Sequence, residues 1–114
     1  MKKISKGIAY QGDIKLEVVN KLPKEATRKT GGNRIIVAHS ETGHHHFVDA
    51  VQARYYTTND PLVCYLVAEG AYADLVHDRQ VNAHETFRIV GKGTVCKITR
   101  QREWTPEGWR VVAD

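Results

Sequence analysis

The chain has 114 residues, 41% hydrophobic and 26% charged, with a formal net charge of +4. That length suits one domain with a single core needing no disulfide support, and the composition excludes a chain disordered throughout. The two cysteines, Cys64 and Cys96, each lie in an apolar run and read as buried free thiols rather than a disulfide framework.

No early basic segment is followed by an apolar core with a small-residue cleavage site, and no apolar stretch approaches the roughly 18 residues of a membrane span. The expectation is a soluble protein of a reducing compartment with no membrane partner. Charge is distributed unevenly. Residues 1–34 carry nine Lys/Arg against Asp13, Glu17 and Glu25, a net of +6, which leaves −2 for the remainder. A basic third of this kind suits an anionic surface, nucleic acid or an acidic partner.

In chain order, residues 2–6 are a short lead-in, and Gly12-Asp13 is a turn signal. Residues 14–19 (Ile-Lys-Leu-Glu-Val-Val) alternate as a strand with one buried face, ended by Pro23. Residues 21–34 are the most basic segment and read as a mobile loop, with Arg28 and Lys29 available to a phosphate or a partner. Residues 34–38 (Arg-Ile-Ile-Val-Ala) form a short strand that delivers the chain to His39. Residues 44–56 follow as one extended stretch, in which His44, His46, Val48 and Ala50 share a face.

A turn at Thr57–Pro61 precedes residues 62–67 (Leu-Val-Cys-Tyr-Leu-Val), the best core-strand candidate, with a predicted hairpin at Glu69-Gly70 into residues 72–76. Residues 77–85 are polar and suit a long loop or one helical turn. Residues 86–90 and 94–99 are predicted to pair as a hairpin around Gly91-Lys92-Gly93. The segment 100–104 and residues 109–112 close the chain around a Pro106–Gly108 turn. About eight short strands without a long helix predict a single all-β domain over 1–114, an antiparallel β-barrel or sandwich.

Four of the six histidines fall within residues 39–46. On a strand, His44 and His46 project to one side about 6–7 Å apart, a spacing from which two imidazoles converge on one metal ion. His77 and His84 are the candidate further ligands, with Glu41 the candidate catalytic base beside an open coordination position. Such N and O donors suit a divalent Zn, Fe, Mn or Ni ion. A purely structural role is equally concrete, since histidine forms hydrogen bonds through both ring nitrogens without a metal.

Gly43-His44-His45-His46 resembles the opening of the cupin metal motif, which implies a small β-barrel as an architectural analogy. A broader resemblance rests on Gln11-Gly12-Asp13, Glu41-Thr42-Gly43-His44 with His46, His77 and His84, and Arg100-Gln101-Arg102-Glu103-Trp104. These look like a family of small phage, prophage and bacterial proteins with no established activity. That resemblance implies the cytoplasm of a bacterial or phage-infected cell and an accessory or structural role.

Arg100, Arg102 and Trp104 would share one face of an extended segment, suited to phosphates and a stacked base or to a protein interface, including one between copies of the chain. His39-Ser40-Glu41 cannot converge as a hydrolytic triad from adjacent positions. Two functional classes remain. One is a metal- or ligand-binding β domain with a His-rich site acting on a small molecule, and the other is a phage-type accessory protein working through protein assembly or nucleic-acid contact.

Overall fold

A computed structural model describes residues 2–30, 32–38, 45–77 and 86–100, with the backbone alone for 102–105 and 108–111. The described residues form strands and no helix: β1 (Lys2–Ile4), β2 (Ile8–Gln11), β3 (Ile14–Val19), β4 (Thr27–Lys29), β5 (Arg34–Ala38), β6 (His46–Asp49), β7 (Ala53–Thr57), β8 (Val63–Ala68), β9 (Tyr72–His77), β10 (Thr86–Val90), β11 (Val95–Arg100), β12 (Arg102–Thr105) and β13 (Gly108–Val111). One sheet has the order β1-β10-β9-β6-β5, the second the order β2-β3-β11-β8-β7-β4, and β12-β13 form a separate hairpin. Every described pairing is antiparallel except β1 with β10.

The two main sheets pack as a sandwich because alternate residues on each strand are apolar. Ile14 and Leu16 of β3, Leu66 of β8, Leu75 of β9, Ile89 of β10 and Ile98 of β11 meet in one core, each at most 1% exposed. Strand β8 is apolar on both faces for a separate reason. Its outward Tyr65 and Val67 join Val95 in a second cluster capped by Leu22, which lies between β3 and the far-edge strand β4.

A closed barrel is not what forms. Each sheet ends in edge strands, β1 and β5 in one, β2 and β4 in the other, and no described pairing joins the sheets. The predicted hairpins 62–67/72–76 and 86–90/94–99 are also corrected, because β8 and β9, like β10 and β11, lie in opposite sheets. Similarly, the single stretch 44–56 breaks after Asp49, and β6 and β7 belong to different sheets. Apolar alternation reports which side of a strand is buried, and a strand turned over into the facing sheet buries the same side as one paired in a hairpin. The basic segment 21–34 carries the exposed edge strand β4, and the lead-in is β1.

The strand registers place the sheet-to-sheet connections 5–7, 50–52, 69–71 and 91–94, with residues 32–33 that lead into β5, at one end of the sandwich. Several bond to one another there: Glu69 N–H to Gln52 O at 2.9 Å, Gly91 N–H to Ala71 O at 2.8 Å, and Ala50 N–H to Asn33 O at 2.9 Å. The opposite end carries the within-sheet turn at Gly12-Asp13 and the ends of β5 and β9. The polar residues of the core collect at that second end. Among the described residues no helix is long and apolar enough to cross a membrane.

Candidate functional site

The turn between β2 and β3 builds half of the polar cluster. Gln11 pairs with Ile14 across a two-residue loop. Gly12 has φ +56° while no described non-glycine residue has positive φ, which is the glycine-first pattern of a type II′ hairpin turn. The turn directs two polar side chains inward, leaving Gln11 1% and Asp13 3% exposed. From the other sheet, His46 opens β6 directly opposite His77, which ends β9. Both histidines are fully buried, and their rings stack with centroids 4.0 Å apart and planes 12° from parallel.

The hydrogen bonds fix the orientation of these groups. Gln11 Nε2–H donates to Leu75 O at 2.8 Å, which turns Gln11 Oε1 toward His46 Nδ1, also at 2.8 Å. An amide oxygen can only accept, so Nδ1 carries a hydrogen. His46 Nε2 lies 2.8 Å from Asp13 Oδ1. A proton must bridge this contact as well, since a carboxylate oxygen against a bare imidazole nitrogen would oppose two lone pairs. The cluster therefore ties the β2–β3 turn to both β6 and β9, joining the two sheets by polar bonds inside an apolar core.

The structure places His46 and His77, two of the four candidate metal ligands, side by side in this cluster. Both His46 nitrogens are directed at protein oxygens, and His77 meets His46 face to face rather than edge to edge. Among the described residues, no three His, Cys, Asp or Glu side chains are grouped to hold a metal ion. The candidate ligands His44 and His84 and the candidate base Glu41 lie outside the described residues. Strand parity puts His46 on an inward face, but neither its pairing with His77 nor the identity of their polar partners follows from parity. Gln11 and Asp13, singled out in the sequence only through the resemblance that Gln11-Gly12-Asp13 carries, are the site members to which sequence reasoning assigns no role beside the histidines. Their signal is present in the Gly-Asp two-residue loop and in Gln11 sharing the inward parity of Ala9.

Of the remaining candidates, Arg100 ends β11 opposite Ile14, and its N–H bonds Leu62 O at 2.9 Å. Arg102 and Trp104 belong to β12, in a different sheet from Arg100, so the three do not continue one strand. Arg28 and Lys29 are exposed on β4.

Cys64 and Cys96 are buried and free. Burial raises both thiols from 9.0 to about 12, with Cys96 a second cause at Cys64. They therefore stay protonated in the fold where the unfolded chain begins to ionise. Their contribution to stability is complete below pH 9 and is lost as pH rises toward 12, at about 1.4 kcal/mol per pH unit for each thiol. The melting temperature of the wild type should fall above pH 9 more steeply than that of Cys64→Ala/Cys96→Ala. Parallel profiles for the two proteins would contradict this assignment.

A second feature lies at the end where the chain crosses between sheets. Edge strands β4 and β5 flank a cavity of about 280 Å³ lined by Lys29, Thr30, Gly32, Arg34, Ile35, Ile36 and Tyr55. An adjoining pocket of about 70 Å³ shares Lys29, Thr30, Ile35 and Tyr55 and adds Arg28 and Arg54. Among the described residues, no acidic side chain lines either space. The Tyr55 hydroxyl is raised to about 12, first by burial and then by the Cys64 thiol. Arg34 lies over the Phe47 ring at 4.0 Å, held on the outer face of its sheet.

No curated protein and no solved structure matches the chain. A family model described as a domain of unknown function, DUF8820, matches residues 10–101, a span that begins one residue before Gln11 and includes the polar cluster and the basic cavity. The chain belongs to this DUF8820 family.

Proposed function

We propose that the domain is a binding module that recognises an acidic protein segment through the cleft between β4 and β5. The observation that carries this reading is the cavity of about 280 Å³ lined by the cations Lys29 and Arg34 together with Ile35, Ile36 and Tyr55. Its volume lies just below the roughly 300–1,000 Å³ typical of small-molecule sites, so it suits one side chain of a larger partner. The buried quartet of Gln11, Asp13, His46 and His77 is read as the clamp that holds the sandwich together at its other end.

An acidic peptide is favoured over nucleic acid by the lining of the cleft. Single-strand binding relies on several aromatic faces on which successive bases stack, whereas Tyr55 is the one aromatic side chain among the described residues lining the cavity. The resemblance to small phage-type proteins supports an accessory role of this kind.

The test is calorimetric titration with a short peptide alternating Glu and Leu, alongside an oligothymidylate. The peptide should bind in a salt-sensitive manner, and Lys29→Glu/Arg34→Glu should weaken it by at least about tenfold, or about 1.4 kcal/mol. Binding of the oligothymidylate in preference to the peptide would overturn the choice of partner. Binding of neither would overturn the reading itself.

A further inference from the structure

We infer that the acidic partner adds as a β-strand to the edge of β5 that no described strand covers, with one apolar side chain seated in the cavity beside Ile35 and its flanking carboxylates beside Arg34. This rests on the binding reading above and specifies how the partner is held.

The first support is the direction of the backbone groups. Arg34, Ile35 and Ile36 face Asp49, Val48 and Phe47 in continuous antiparallel register. The same register extended by one residue pairs Asn33 with Ala50, and the Ala50 N–H donates to Asn33 O at 2.9 Å. Residues directly opposite in an antiparallel ladder alternate between bonded and non-bonded pairs. Asn33 and Ile35 therefore turn their amides toward β6, while Arg34 and Ile36 turn theirs toward the open edge. Two outward N–H and C=O sets recur at the two-residue repeat of a strand, about 6.6–6.8 Å, which is the spacing an incoming strand presents.

The second support is side-chain parity. Ile35 packs against the core, whereas Arg34 lies over Phe47 on the outer face. A strand placed beside β5 continues the same alternation, with one residue directed inward and its two neighbours outward. The inward position meets Ile35, Tyr55 and Lys29, which is the register partner of Tyr55 on the facing sheet, while the outward positions lie beside Arg34. The segment recognised thus reads acidic–apolar–acidic with period two.

The register also limits the length of the added strand. Between Ile36 and Ala38 it shifts, so Val37 is an extra residue and the edge bends there. A short segment fits, and a long flat partner does not. A second copy of β5 is a poor occupant, because its Arg34 would bring a like charge to a cleft already holding Lys29 and Arg34.

The experiment measures binding of the Glu/Leu peptide in three forms: unmodified, and N-methylated at alternate amides in either of two registers. Methylation removes donors and preserves charge and side chains. One register should lose at least about tenfold in affinity, the cost of about two hydrogen bonds, while the other stays close to the unmodified peptide. On the protein side, Ile36→Pro removes an N–H that the β6 ladder does not use, a position where an edge strand tolerates proline. It should fold with an unchanged circular dichroism spectrum and lose peptide binding, whereas Ile36→Val should retain it.

Equal binding of both methylated peptides, with Lys29→Glu/Arg34→Glu still impaired, would overturn strand addition and leave the basic cleft intact. No binding of the unmodified peptide would overturn both readings.

Discussion

His46→Ala should be among the most damaging single changes in this protein, costing about 3–5 kcal/mol, because it leaves two buried hydrogen-bonding groups without this partner at about 1–3 kcal/mol each and removes a buried ring. Against a typical domain stability of about 5–15 kcal/mol, that loss would leave much of the protein unfolded on mild heating. The size follows from what is left behind. Without the imidazole, Asp13 Oδ1 and Gln11 Oε1 each lose a partner at 2.8 Å, and both residues are within 3% of complete burial. The stacked face of His77 is uncovered at the same time.

Asp13 distinguishes the chemistry from mere packing. Asp13→Ala should cost nearly as much as His46→Ala, and the double variant should cost far less than their sum, with a coupling of about 1–3 kcal/mol. Asp13→Asn should be milder than either, because an asparagine amide donates to Nε2 of a neutral imidazole whose Nδ1–H already serves Gln11. Urea unfolding of the four proteins gives the cycle directly. Additive losses would show that His46 and Asp13 act independently, and the clamp would have to be abandoned.

Gly12→Ala should destabilise the domain by about 2–4 kcal/mol, combining the backbone penalty of a left-handed conformation with overpacking. The position is constrained twice. Its φ of +56° is one that side-chain-bearing residues rarely adopt. A methyl group there would lie 2.5 Å from His77 Cε1, 3.0 Å from His77 Nδ1 and 3.2 Å from His46 Cε1. The turn backbone thus rests against the edges of the stacked rings. By contrast, Gly7 has a positive φ of 80°, but a methyl group added there would meet no atom within 4 Å, so Gly7→Ala carries only the backbone term and should cost less. Melting temperatures would show the ordering, and a Gly12→Ala protein as stable as Gly7→Ala would contradict the close approach.

The residue pattern by itself determined the β class, several strand positions and the buried state of both thiols. Residues 14–19 alternate and form β3 with those bounds, and His46 and Val48 share an inward face as period two requires. These are local properties, set by which residues alternate and where glycine and proline interrupt them. Strand partners are not local. The turn at residues 69–71 reads equally well as a hairpin or as a crossing between sheets, and only the packing of both sheets around one core selects the crossing.

The same distinction governs the two sites. The histidine cluster is prominent in the sequence, but its chemistry depends on partners 33 and 35 residues away in the chain. The Gln11-Gly12-Asp13 turn supplies them only once β2 and β3 are laid against β6 and β9, which sets His46 in a hydrogen-bonded cluster with Gln11 and Asp13. The basic character of residues 21–34 is equally plain, yet the cavity between β4 and β5 exists only because the chain passes from one sheet to the other between those edges. Composition and periodicity specify which surfaces a strand must bury or expose. Which polar groups then meet is decided by tertiary structure, because hydrogen bonds act over about 3 Å and the residues that form them are brought together only by the completed fold.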